Sequence, residues 1–190
     1  MVDGRITPFD GIEFNPQLRW IEVMSEVAFL LMDLQDRGYP GLAWRFLNGY
    51  LRQTGDYAGI ELLDYYLVYR ALVRAKVSIL RLAQPGLDMS EQQAVREEYQ
   101  SYMDLASECA GSRRRALIIT HGLSGSGKSW YAERLVERLG AIWSRSDVER
   151  KRLYGYSPQA DTASAIGSGI YTAAAGMRTY DQLARLARHG

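Results

Sequence analysis

Apolar residues recur at helical spacing through most of the first 84 positions. Trp20, Val23, Met24, Val27, Ala28, Leu31 and Leu34 share one helical face, and Gly38-Tyr39-Pro40-Gly41 supplies the turn chemistry that ends it. Leu42, Ala43, Phe46, Leu47, Tyr50 and Leu51 predict a second, shorter helix closed by Thr54-Gly55-Asp56. Leu62, Leu63, Tyr66, Tyr69, Leu72, Val73, Lys76 and Ile79 predict a third. Gln84-Pro85-Gly86 interrupts the pattern, and Asp88-Met89-Ser90-Glu91 reads as a capping box opening a Glu- and Gln-rich helix that runs to about Cys109. These breaks divide the chain into a helical module over residues 1–84, a connector helix over 85–112 and a third unit over 113–190.

The periodicity changes in the third unit. Ala116-Leu117-Ile118-Ile119-Thr120 is short, apolar and β-branched, the composition of a buried strand. Ala132, Leu135, Val136 and Leu139 then return to helical spacing, with Glu133, Arg134, Glu137 and Arg138 opposite them, until Gly140 stops the helix. Ala141-Ile142-Trp143 predicts a second strand. Ser144-Arg145-Ser146-Asp147 leads from it into a basic helix start at Val148-Glu149-Arg150-Lys151-Arg152, and residues 163 to 188 predict a long Ala-rich helix holding Ile170, Ala174, Met177, Leu183, Leu186 and Ala187.

Between the first strand and its helix lies Gly122-Leu123-Ser124-Gly125-Ser126-Gly127-Lys128-Ser129, which fits G-x-x-x-x-G-K-[ST]. Several phosphate oxygens must be met by several donors with no side chain in the way. Glycines at 122, 125 and 127 let the backbone take positive φ and approach closely, so that successive N–H groups line an anion nest. The helix beginning near Lys128 adds unpaired N–H groups and the positive end of its dipole. In this chemistry Lys128 reaches the β- and γ-phosphates of ATP and the Ser129 hydroxyl ligates Mg²⁺. An ordinary Gly/Ser turn that happens to contain Lys-Ser is the plain alternative.

Composition narrows the partners. The chain has 190 residues, 47% of them apolar, and a net charge of +1, so no global field draws it to nucleic acid or to an acidic membrane surface. Arg113-Arg114-Arg115 is its one basic run and reads as a solvated linker. Cys109 is the single cysteine, which excludes an intramolecular disulfide and suits a reducing, cytoplasmic compartment. Met1 to Arg5 lacks the build of a signal peptide, and Glu22, Glu26 and Asp33 make the most apolar helix too polar to cross a bilayer. Nothing in the sequence speaks to oligomeric state.

The loop from Gly122 to Ser129, followed by Ser146-Asp147-x-x-Arg150, resembles the P-loop kinases of the gluconate kinase, shikimate kinase and polynucleotide kinase group within the AAA-type ATPases. That resemblance implies a three-layer α/β/α domain with a parallel sheet, of which residues 113–190 would be the first half. It also implies that Asp147 acts as base or orienter for an acceptor hydroxyl, with Arg150 as its electrostatic partner. Asp147 can equally be the N-cap of the helix that carries Arg150. Phe9-Asp10-Gly11-Ile12-Glu13-Phe14-Asn15-Pro16, then Ser25-Glu26-Val27-Ala28, resembles the later part of the C-terminal lobe of aminoglycoside phosphotransferase-like kinases. There Asp10 would be a metal ligand; as a plain sequence feature it is a turn residue. Such a lobe normally carries a His-Gly-Asp type catalytic loop upstream, and none precedes Asp10.

The expected fold is therefore α/β, a helical N-terminal module joined to a P-loop domain that is incomplete at its C-terminal side, and the chain is expected to be a piece of a longer two-module protein. The expected activity is ATP·Mg²⁺-dependent phosphoryl transfer to a small hydroxylated acceptor. Two alternatives stay open: a nucleotide-binding regulatory module without acceptor chemistry, and a polynucleotide-end kinase using Arg145, Arg150, Lys151 and Arg152 on backbone phosphates.

Overall fold

The structure is a computed structural model that describes residues 15–111, 115–123, 125–162 and 168–189. Helix α1 spans Pro16–Arg19, its first turn held by the Asn15 side chain, which accepts from the Gln17 N–H at 2.9 Å. Helix α2 (Val23–Asp36) starts three residues later than the apolar pattern suggests, because Glu22 caps it by accepting from the Ser25 N–H; Trp20 is left outside and exposed. Pro40, expected in a turn, is instead the first residue of α3 (Pro40–Thr54), where its missing N–H costs nothing. A short 3-10 turn (Ala58–Leu62) leads into α4 (Leu63–Leu82). Helix α5 (Met89–Ala110) opens on the full capping box, with Asp88 accepting from Ser90 and Glu91 N–H groups and the Glu91 carboxylate returning to the Asp88 N–H.

These helices close one core. Met24, Ala28 and Leu31 of α2 meet Leu47 and Leu51 of α3, Leu67 and Ala71 of α4, and Tyr102 and Ala106 of α5, all buried. Alanines at 71, 75 and 106 let α4 and α5 approach along much of their length. Cys109 is buried at the end of α5 in the same cluster.

The third unit is sparser. Helix α6 (Lys128–Leu139) buries Ala132 and Val136, and α7 (Ser146–Leu153) buries Val148 and Glu149. In place of one long Ala-rich helix there is a 3-10 turn (Gly169–Tyr171) carrying Ile170, followed by α8 (Ala173–Leu186), which Thr172 caps by accepting from the Ala175 N–H at 3.3 Å. Residues 163–167, the expected start of that helix, lie outside the described ones.

The expected parallel sheet is not formed. Among the described residues there is no strand, and Leu117, Ile118 and Ile119 of the first candidate are 72%, 59% and 78% exposed. The physical reason is that a helix satisfies its own backbone, whereas a parallel strand exists only beside a neighbour that accepts and donates along its length. The second candidate finds a different partner. The Asn48 side chain of α3 donates from Nδ2 to the Ala141 carbonyl at 2.9 Å and accepts the Trp143 N–H on Oδ1 at 2.6 Å, doing at two points what a strand edge would do. The three-layer α/β/α expectation therefore gives way to a helical core with α6 and residues 141–143 docked on α3.

Candidate functional site

Between Gly122 and α6 the three motif glycines among the described residues all take positive φ. Gly122, Gly125 and Gly127 take φ values of 151°, 78° and 81°, a region that side-chain-bearing residues rarely enter. A Cβ at Gly125 or Gly127 would meet nothing within 4 Å, so backbone conformation, not crowding, is what requires glycine there. At Gly122 a Cβ would also stand 3.0 Å from Ser126 Oγ. Gly127 is the N-cap residue of α6 and offers no side-chain cap, so the first N–H groups of the helix face outward without a competing oxygen.

Lys128, the first residue of α6, turns back toward Gly122 and Leu123. Its Nζ donates to the Gly122 carbonyl at 2.7 Å and to the Leu123 carbonyl, and lies 3.4 Å from Ser126 Oγ. The ammonium thus sits among loop oxygens at the place where phosphate oxygens would compete for it. Ser129 follows on the first turn, exposed. The donor set fits a nucleotide's phosphates, with Ser129 available to a metal ion. Ser124 and the other expected metal ligand, Asp10, lie outside the described residues. Among the described residues no group of three or more His, Cys, Asp or Glu side chains gathers into a metal centre.

Asp147 and Arg150 occupy α7, but not in the expected pairing. Asp147 is the second residue of the helix and makes no capping bond; Arg145 holds the N-cap position. Its carboxylate accepts from the Tyr171 hydroxyl at 2.8 Å and pairs with Lys151 Nζ at 2.9 Å. Burial alone would push the carboxyl up, yet the Lys151 and Tyr171 hydrogen bonds and the Lys151 and Arg145 charges outweigh it, so Asp147 sits below its ordinary value. Arg150 lies over the Tyr171 ring, 4.9 Å from its centroid, and its buried Nε has no hydrogen-bond partner among the described residues. No hydrogen bond or ion pair among the described residues links Asp147 to the phosphate loop, which ends its own contacts at Lys128.

Sequence reasoning missed the surface that seats α7. Glu149, 1% exposed, accepts from the Tyr57 hydroxyl at 3.2 Å and pairs with Arg152, whose guanidinium also donates to the Leu51 and Arg52 carbonyls at 3.2 and 2.7 Å. Arg45 on α3 bonds Glu137 on α6 at 2.6 Å. Gly140 lies so close to Trp44 that a Cβ there would stand 2.7 Å from the indole Nε1. One signal was present: Asn48 falls between Leu47 and Leu51 on the buried side of α3, where a polar residue requires a partner.

The strand-like run, the glycine loop and the uncapped helix start coincide with a family match. Residues 117–190 match an AAA domain. The match begins within the Ala116–Thr120 run and does not reach the helical half. Over 188 residues the chain is 34% identical to Uncharacterized protein Mb2027c of Mycobacterium bovis and to Uncharacterized protein Rv2004c of Mycobacterium tuberculosis, covering 99% of this chain. The chain spans 36% of the length of these relatives. No solved structure matches it. Among the described residues no helix is long and apolar enough to cross a membrane.

Proposed function

We propose that this chain supplies the nucleotide grip of an ATP·Mg²⁺-dependent phosphotransferase acting on a small hydroxylated acceptor. The observation that carries the reading lies in the described residues 122–123 and 125–128: three glycines at positive φ, a helix start with no side-chain cap from Gly127, and a lysine folded back onto the Gly122 carbonyl. Backbone N–H groups of the loop and of the first turn of α6 bind the phosphate tail, and Lys128 exchanges the Gly122 and Leu123 carbonyls for phosphate oxygens. Ser129 would hold Mg²⁺, which supplies charge neutralisation between the β- and γ-phosphates when bound.

Asp147 acts as an orienter in this reading. A carboxylate whose proton affinity is already lowered by Lys151 and Tyr171 is a weak base, but it remains a good acceptor for a substrate hydroxyl. Arg150 faces the same ring and closes that side of α7. The polynucleotide alternative loses support, because Lys151 pairs with Asp147 and Arg152 with Glu149, while Arg145 lies over Trp143 and Arg150 over Tyr171, so among the described residues these four form no row of unengaged cations for a phosphate backbone. A crevice between Arg52, Tyr57, Trp143 and Arg145 encloses about 10 Å³, room for one water-sized group, so it is not the acceptor's seat.

The likeness of the first half to a phosphotransferase lobe rests on its sequence motif, and the acceptor remains defined only by its hydroxyl. The test is transfer of labelled γ-phosphate from ATP to a panel of small sugars and polyols by the whole protein. Asp147→Asn should abolish transfer and spare ATP binding; unchanged turnover would remove Asp147 from the reaction and favour a purely nucleotide-binding role.

A further inference from the structure

Asn48 is on the apolar stripe of α3, 8% exposed, and every polar atom of its amide is used. Nδ2 donates to the Trp44 and Ala141 carbonyls at 2.8 and 2.9 Å, and Oδ1 accepts the Trp143 N–H at 2.6 Å. The two backbone groups it holds, two residues apart, belong to the segment that leads through Ser144 and Arg145 directly into α7. That helix is then seated on the end of α3 by the Tyr57–Glu149–Arg152 cluster and the Leu51 and Arg52 carbonyls. None of these contacts touches residues 122–129.

From this arrangement we propose that Asn48 is a positioning residue: α3 stands in for a sheet edge, fixes the 141–143 segment, and so sets where α7 presents Asp147, without acting on the phosphate loop. The inference rests on the phosphotransferase reading for its catalytic consequence, though not for its structural one. Held by the Asn48 amide and by the Ala141 N–H on the Val136 carbonyl, the segment has far fewer anchors than a strand in a ladder, so loss of the amide frees the Ala141 carbonyl and the Trp143 N–H at once. The helical half is then the part that aligns the acceptor side, while nucleotide affinity belongs to the loop alone.

Hydrogen exchange on the whole 190-residue chain tests this. In Asn48→Ala the amide of Trp143 and those of α7 should exchange about tenfold faster, while the amides of α2 and α4 keep their protection. Asn48→Leu, which keeps volume in the apolar stripe, should give the same local loss and decides the matter if the alanine variant fails to fold. Asn48→Asp sets a carboxylate oxygen against the Trp44 and Ala141 carbonyls that Nδ2 serves and should likewise lose protection at Trp143. In the transferase assay, Asn48→Leu should lower kcat about tenfold or more and leave the KM for ATP within about twofold. Unchanged exchange at residues 143–153 overturns the proposal, as does a fall in ATP affinity matching the fall in turnover. A chain that binds no ATP even unsubstituted refutes the phosphotransferase reading, and the exchange result then still decides what Asn48 holds.

Discussion

The helices from Val23 to Ala110 bury a continuous set of apolar side chains, whereas residues 115–189 bury only Ala132, Val136, Val148, Ile170 and Ala175 among the described apolar ones. The helices of the second region are on the whole more polar than those of the first, yet Ala116–Thr120 is itself an apolar run, so hydrophobicity alone does not separate them. The difference lies in the backbone. Each helix of the first region closes its own hydrogen bonds and needs neighbours only for its apolar face, but Leu117-Ile118-Ile119 needs neighbours for its backbone as well and remains exposed. Among the described residues the second region meets the first along α3 and at Tyr57, and its own helices α7 and α8 meet each other.

Removing one side chain from each region gives the widest contrast. Leu47→Ala should cost about 2–5 kcal/mol in a denaturant melt, because Leu47 is fully buried, while Ile119→Ala at an exposed site should stay within about 0.5 kcal/mol. Equal costs would erase the distinction drawn here. Gly140→Ala probes the seam between the regions: with φ at 61° and a new Cβ 2.7 Å from Trp44 Nε1, it should lose about 1–3 kcal/mol and loosen α6 from α3. Retained amide protection at Ala141, whose N–H closes on the Val136 carbonyl at 3.2 Å, would argue that the seam is soft.

Within the first region, Asp88→Ala should cost about 1 kcal/mol by undoing the capping box of α5, seen as faster exchange in its first turn with α2 unaffected. The smallest effect is electrostatic. Asp147 has a folded value below its ordinary 3.8, so its contribution is present above that value and is lost as pH falls through the lower, folded one. Acidification below about pH 4 should therefore release Tyr171 from α7, followed by the Tyr171 ring resonances. Asp147→Asn should flatten that titration; if the resonances still move, another group governs them.

How far the sequence led can be judged residue by residue. The helices were legible because their apolar spacing, the Asp88/Glu91 box and the Gly55 and Gly140 stops are local signals. The positive φ of Gly122, Gly125 and Gly127 was legible for the same reason, since the need for glycine there is set within eight positions. The sheet was misread because a strand's existence depends on a partner elsewhere in the chain, which local composition does not report. Asp147 was placed on the correct helix with the wrong neighbours: i+3 spacing favoured Arg150, but Tyr171, 24 residues away, takes one carboxylate oxygen and Lys151 the other. The burial of Glu149 inside the run Glu149-Arg150-Lys151-Arg152 had no local signal at all, because a charge run reads as a solvated face until α3 is laid against it.

The central claim is that the main chain from 122 to 128 grips a nucleotide's phosphates and that Lys128 completes the grip. Calorimetric titration of ATP with Mg²⁺ into the chain and into Lys128→Ala measures it directly. The account predicts saturable binding to the unsubstituted chain that weakens about ten- to a hundredfold on loss of the ammonium. Equal affinity in the two proteins, or no binding to either, would contradict it.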